Sequence, residues 1–340
     1  MDANNLKKSN IILIAEACDN HFGSLKNAKK MVVEAKKNGA DVIKFQHHLP
    51  DEEMLKKVPK SKNFKLSLYE FLKKYSLKLS DHKELLLFSK KIGIQYLCTP
   101  FSFKAAKELN SIGLKWFKIG SGEFTDLPFI REVLKFKKPV IFSTGMSSID
   151  EIKMVYNFIL KNKKSEFALM NCTSEYPPRL EDININFINY MKRNFLKAVI
   201  GHSDHTNDII TSIGAAAAGA RIIEKHVYLD GLNFGPDRDV SINFKQFGNM
   251  ARSIRLLEKS LGKEKKIYPK EKMIRKWATR SLYAIKNINK GEKITKKNMW
   301  SIRPGTGIPS RFFDKIVGSK TISKIKKGNL IKKSQLRKKI

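Results

Sequence analysis

The chain has 340 residues, 41% of them hydrophobic and 10% aromatic, which is ordinary for one large domain plus a small one with a sizeable core. It carries 67 Lys and Arg against 32 Asp and Glu, a formal net charge of +35. The lysines are spread along its length with no long basic block and no basic–aromatic interleaving, so the surplus reads as a solvated surface and argues against a nucleic-acid or membrane partner.

Cys18, Cys98 and Cys172 are odd in number and widely spaced, which argues against a disulfide framework. The apolar run IILIA is cut short by Glu16, too soon for a signal peptide. Both features point to a soluble, cytoplasmic protein.

Taken in chain order, short apolar runs recur at IILIAEA (11–17), DVIKFQH (41–47), IQYLCTP (94–100) and WFKIGSG (116–122). They continue at PVIFSTG (139–145), FALMNCTS (167–174), AVIGHSD (198–204) and RIIEKHV (221–227). Between them lie segments of helical periodicity, such as SLKNAKKMVVEAKKNGA with its leading Ser and closing Gly39. Alternating units with near-continuous apolar strands predict a parallel (βα)8 barrel of the TIM type over residues 1–262. An open doubly wound sheet is the alternative, but no Gly-rich dinucleotide motif follows the first strand. Residues 263–275 are charged, carry Pro269 and read as a linker. Beyond them, IKNINKGEKITKKNM from Ile285 matches ISKIKKGNLIKKSQL from Ile322 at an offset of 37 residues, so residues 276–340 form a small module with internal pseudo-symmetry.

In such a barrel the loops at the strand C-termini build the active site. The polar residues gather there: Glu16 and Asp19; Lys44, Gln46, His47 and His48; Thr99; Lys118, Ser121 and Glu123; Ser143; Ser174 and Tyr176; Ser203 and His205; Glu224 and His226. Six of the seven histidines lie at strand ends, and only His82 falls in a helical segment. Ser203 shares its strand face with His205, and Glu224 with His226. Adjacent strands lie about 4.8 Å apart, so His205 and His226 can share a divalent cation, near Glu123 and Asp237. Lys44 and Lys118 with Thr99, Ser121, Ser143, Ser174 and Ser203 read as a phosphate cradle. Either lysine taken alone also fits a Schiff-base nucleophile or a structural ion pair.

The motifs IAEACDNHFGS, ADVIKFQ, CTPF, KIGSGE, STGMSSIDEI, NCTSEYP, GHSDHT and EKHVYLD…GPD resemble the sialic acid synthase family of phosphoenolpyruvate-condensing enzymes. TRSLYAIKNINKGEKIT…RPGTGI resembles that family's C-terminal antifreeze-like (SAF, β-clip) domain. The resemblance implies condensation of phosphoenolpyruvate with an N-acetylmannosamine-like 2-acetamido sugar to a nine-carbon 2-keto acid, with C–O cleavage and release of phosphate. Carried over position by position, it assigns Glu16, Glu123 and Lys118 to catalysis. Phosphoenolpyruvate falls to Lys44, Thr99, Lys118, Ser121, Ser143, Ser174 and Ser203, and the sugar to Gln46, Tyr176, Asp237 and Arg303. His205 and His226 match ligands for Mn²⁺ or Mg²⁺. Arg303 matches an arginine delivered to the partner subunit's site, which implies a domain-swapped homodimer.

Three stretches depart from the family pattern: ACDNHFG, KFQHHLPDEEM, and His202 in GHSDHT. They flank the sugar side rather than the phosphate side, so the reaction type is legible and the identity of the sugar is not. A Schiff-base pyruvate aldolase on the same barrel is the enzymatic alternative, and a polyanion-binding protein exploiting the net charge is the non-enzymatic one.

Overall fold

Eight parallel strands appear where the apolar runs predict them: β1 (Ile12–Glu16), β2 (Val42–His47), β3 (Gln95–Pro100), β4 (Phe117–Ile119), β5 (Val140–Ser143), β6 (Phe167–Cys172), β7 (Val199–Asp204) and β8 (Ile222–Tyr228). The computed structural model describes residues 10–57, 66–232, 237–262 and 264–337. The ladders run β3-β2-β1-β8-β7-β6-β5-β4, an order that wraps the sheet round so that its first and last strands meet. This is the nearly closed (βα)8 barrel, not the open sheet. At the seam between β3 and β4, the Trp116 indole donates a hydrogen bond to the Tyr96 carbonyl at 3.0 Å.

Strand parity sorts the side chains into two sets. One set fills the barrel lumen with a buried cluster of Ile12, Ile14, Val42, Leu97, Trp116, Ile141, Ala168, Met170, Val199 and Ile222. The other packs outward against the helices, as Leu13, Ile43, Phe45, Phe117, Phe142, Leu169, Ile200 and Ile223 do. Position 201 faces the lumen, where a Cβ would stand 2.8 Å from the Ile222 carbonyl oxygen, so only glycine fits.

The covering helices start and stop on the expected signals. Ser24, Ser102, Asp126, Ser148 and Asn243 each accept a hydrogen bond from a backbone N–H in the first turn of the helix they open. Gly93 and Gly219 close theirs in the left-handed conformation. The last helix of the barrel unit is Phe244–Ser260.

The chain divides into two compact units after Gly262. In the second, part of the segment read as a linker is a helix, Pro269–Ala278, opened by its proline and with no buried residue. Two antiparallel strands follow, Ser281–Ala284 and Met299–Ile302. The sequence repeat is a structural one. Ile288 and Ile325 exchange backbone hydrogen bonds at 2.9 and 2.8 Å. Gly291 N–H bonds the Thr321 carbonyl and Gly328 N–H bonds the Ala284 carbonyl, each at 2.8 Å, the same contact shifted by 37 residues. Ile294, Met299, Ile331 and Leu336, paired in the repeat, share one core.

Candidate active site

On most strands of the barrel, the lumen-facing parity continues past the apolar cluster into polar residues. Ile12 and Ile14 lead to Glu16, Val42 to Lys44 and Gln46, Leu97 to Thr99, and Trp116 to Lys118. Ile141 leads to Ser143, Val199 through Gly201 to Ser203 and His205, and Ile222 to Glu224 and His226. The apolar plug excludes water from below, and the polar ring opens into a cavity of about 420 Å³, a size suited to small substrates. Every barrel residue assigned a catalytic, substrate or metal role from the sequence lines this cavity: Glu16, Lys44, Gln46, Thr99, Lys118, Ser121, Glu123, Ser143, Ser174, Tyr176, Ser203, His205, His226 and Asp237. Arg303 belongs to the second unit, where it is exposed and its Nε donates to the Ala278 carbonyl at 2.9 Å.

Glu224 is the centre of the ring. Its Oε1 accepts from Lys44 at 2.9 Å, Lys118 at 3.0 Å and Ser203 Oγ at 3.1 Å. Glu16 stands 3.3 Å from the same Lys44 ammonium. Two lysines and two carboxylates thus balance in a buried site. Against burial, which opposes every charge here, the two lysines hold Glu224 below the usual carboxylate range. Glu16 goes the other way: burial, with the Glu224 charge adding, pushes it up to about 7 despite Lys44. Burial opposes the charge on Lys44, yet Glu16 and Glu224 outweigh it and raise its pKa, whereas burial wins at Lys118 and lowers it. Around this core, the buried Thr99 and Ser143 hydroxyls have no hydrogen-bond partner. Such unmet groups are unusual in a buried protein site and mark where a polar ligand fits.

His205 and His226 face each other with ring centroids 5.2 Å apart. The Tyr176 ring stacks on His205 at 4.5 Å. His205 Nδ1 donates to the Thr173 carbonyl at 2.8 Å, so its Nε2 carries the lone pair, and burial keeps the ring neutral down to about pH 4. His226 Nδ1 is buried without a partner, and burial lowers this histidine's pKa as well. His226 also gathers with Cys18 and Asp237, their ligand atoms within 4.8 Å of one another. Above them, burial pushes Glu123 up to about 7 and Asp19 up to about 6.

Half of the strand-end histidines do not belong to the site. His21 accepts a hydrogen bond from the Gly23 N–H at 3.0 Å. His47 pairs with Glu108 at 2.8 Å and packs against His82, and His202 is buried on the outward parity of β7. The ends of β2 and β7 carry adjacent polar residues, and the pleat sends alternate ones to opposite faces.

A model described as the NeuB family matches residues 31–266, and one described as the SAF domain matches residues 279–337. The chain belongs to the NeuB family. It is an enzyme of the sialic and related nonulosonic acid synthase type, similar to the N,N'-diacetyllegionaminic acid synthase of Campylobacter jejuni, with 36% identity covering 94% of this chain and 98% of the relative. It is also similar to a Campylobacter jejuni pseudaminic acid synthase, at 33% identity over 96% of this chain and 97% of that one. Among solved structures, the N-acetylneuraminic acid synthetase of Leptospira borgpetersenii, in complex with citrate, superposes with a TM-score of 0.72 at 29% identity, covering 78% of this chain and 90% of the other.

Sequence reasoning gave no role to several residues of this NeuB-family site, Glu224 and Cys18 among them. Glu224, read in the sequence as a polar strand-end residue on the face of His226 but given no role, holds both lysines. Cys18 stands beside Asp237 with its thiol raised by burial. Parity and spacing carried a signal for the first and none for the second, which adopts a left-handed backbone at φ +45° in the loop after β1.

Proposed function

We propose that this protein condenses phosphoenolpyruvate with a 2-acetamido hexose to give a nine-carbon 2-keto acid and inorganic phosphate. The observation that carries the reading is the Lys44–Glu224–Lys118 arrangement ringed by the unpartnered Thr99 and Ser143 hydroxyls. Two ammonium groups offer point charges to a phosphate and a carboxylate, and hydroxyls add hydrogen bonds without further charge. Ser121, Ser174 and Ser203 complete the ring.

In the reaction, C3 of phosphoenolpyruvate bonds to the aldehyde carbon of the open-chain sugar, whose oxygen takes up a proton. Water adds at C2 and gives up one proton. The C2–O bond to phosphorus then breaks on the carbon side as the C2 hydroxyl loses its remaining proton to become the keto oxygen, and phosphate leaves carrying that proton. Glu16 and Glu123, each shifted to about 7, exchange protons near neutral pH. Gln46, Tyr176 and Asp237 line the sugar side.

His205 and His226, with Asp237 beside the latter, are suited to hold Mn²⁺ or Mg²⁺: both rings are neutral, and His226 Nδ1 is buried without a partner. Such an ion supplies positive charge that polarises a carbonyl oxygen. Arg303 is assigned to the site of a second subunit in a swapped C₂ dimer. A reducing cytoplasm suits the three buried free cysteines. No helix among the described residues is long and apolar enough to cross a membrane.

The lowered pKa of Lys118 favours one second reading, a Schiff-base aldolase. Phosphate release from phosphoenolpyruvate, assayed against N-acetylmannosamine, diacetamido-dideoxy hexoses and other 2-acetamido sugars, tests the first reading. Borohydride trapping with pyruvate tests the second, since a covalent adduct on Lys118 or Lys44 overturns the condensation.

A further inference from the structure

His48 lies in the KFQHHLPDEEM stretch that departs from the family pattern, and its side chain is buried at the rim of the cavity. Both of its ring nitrogens face oxygen. Nδ1 stands 2.9 Å from Glu53 Oε2, and Nε2 stands 3.0 Å from the amide oxygen of Gln46. Glu53 is itself fixed, because its other oxygen accepts the Leu49 backbone N–H. A carboxylate at Nδ1 requires a hydrogen on that nitrogen. The requirement at Nε2 depends on which way the Gln46 amide points.

Glu16 settles that orientation. The Gln46 amide nitrogen donates to Glu16 Oε1 at 3.0 Å, while Lys44 flanks the other oxygen of Glu16 at 3.3 Å. Above about pH 7 Glu16 is ionised and, beside the Lys44 ammonium, purely an acceptor, so Gln46 must then turn its NH₂ towards it and its oxygen towards His48. Nε2 then carries a hydrogen as well, and His48 is an imidazolium. Its surroundings suit that charge. Burial opposes it, but the Glu53 hydrogen bond and the nearby charges of Asp19, Glu53 and Glu123 raise its pKa, and Asp237 lies within electrostatic reach. The ring is held flat against Phe101, with centroids 4.1 Å apart and 16° between the planes.

We propose that His48 is the positioning residue for acceptor-sugar recognition: an imidazolium bridging Glu53 and Gln46 that locks the Gln46 amide in one orientation. The inference rests on the synthase reading above. An amide has two N–H groups and two lone pairs. With one of each spent on Glu16 and His48, Gln46 presents one donor and one acceptor to the cavity, the pair a sugar hydroxyl uses. Without His48 the amide rotates, and half of its orientations set its oxygen against Glu16.

His48→Phe keeps the stack on Phe101 and removes both donors, and Glu53→Gln removes the carboxylate that holds the ring. With the acceptor that releases most phosphate in the sugar panel, either change should raise the sugar KM by about tenfold and leave the phosphoenolpyruvate KM within about twofold. On a Gln46→Ala background, His48→Phe should add less than about twofold, because the residue acts through Gln46. Equal rises in both KM values, or effects that multiply in the double variant, overturn the proposal. A second measurement needs no activity. In protein with ¹⁵N-labelled histidine, the His48 signals, identified by their loss in His48→Phe, should show two protonated ring nitrogens just above the Glu16 pKa of about 7, where Glu16 is ionised. One bare nitrogen means the amide points the other way and the proposal fails. If no sugar supports phosphate release, the synthase reading fails while these nitrogen shifts still decide the orientation.

Discussion

Lys44 and Lys118 donate to the same oxygen of Glu224, at 2.9 and 3.0 Å, so β2 and β4, with β3 between them, are tied through β8, the strand across the lumen from β4. Breaking a buried pair by removing one partner costs about 3–5 kcal/mol, because the surviving charges are left without compensation. Glu224→Gln should therefore lower the midpoint of denaturant unfolding. Inorganic phosphate should restore part of the loss, since an anion then occupies the place of the lost carboxylate. An unchanged midpoint would show that the three groups are not coupled as drawn.

Glu16 gives stability a pH dependence of defined sign. Its pKa rises from 4.5 to about 7 on folding, so between those values the native state holds a proton that the unfolded chain has released. Its contribution is present below pH 4.5 and is lost as pH climbs through about 7. Glu16→Gln should flatten the fall in unfolding free energy across that window, measured by urea titrations at a series of pH values.

Chelation should abolish phosphate release, and Mn²⁺ should restore it. His205→Ala and His226→Ala should each weaken Mn²⁺ binding by about tenfold or more, read from the electron paramagnetic resonance of free Mn²⁺. Cys18→Ser should keep most of the affinity. Loss of binding in Cys18→Ser with retention in His205→Ala would move the ion to the Cys18, His226 and Asp237 group.

Arg303→Ala should raise the sugar KM far more than the phosphoenolpyruvate KM, because the lysine cradle is made of barrel residues alone. Mixing Arg303→Ala with His205→Ala protein should recover some activity through heterodimers with one intact composite site. A dead mixture in which heterodimers are demonstrated would show that Arg303 does not act across subunits.

Gly291 and Gly328 both sit at φ +82°, and a Cβ on either meets nothing within 4 Å. Alanine at each therefore carries only the conformational cost of the left-handed region, about 1 kcal/mol. Gly291→Ala and Gly328→Ala should lower stability by equal amounts in denaturant unfolding. Unequal losses would mean that the two halves of the repeat are not energetically equivalent.

The sequence by itself determined the barrel, the end at which its chemistry gathers and the duplicated small unit. Each of these rests on a period carried along the chain: alternating strands and helices, polar residues at strand C-termini, and the 37-residue offset. Side-chain parity then told Ser203 and Glu224 from their outward neighbours, because the pleat leaves no other choice. Only the tertiary structure decided which polar groups satisfy one another. Lys44 lies 180 residues from Glu224 and Lys118 lies 106 from it, and only closing the sheet sets all three at one oxygen. The same holds for His48, whose charge follows from the direction of the Gln46 amide and hence from Glu16. His21, His47 and His202 looked like site residues by position, yet they point elsewhere, because a strand end or a loop offers two faces and packing selects one of them. Local pattern fixes where a residue sits along its element, whereas hydrogen bonding and desolvation depend on neighbours that the fold brings from far away in the chain.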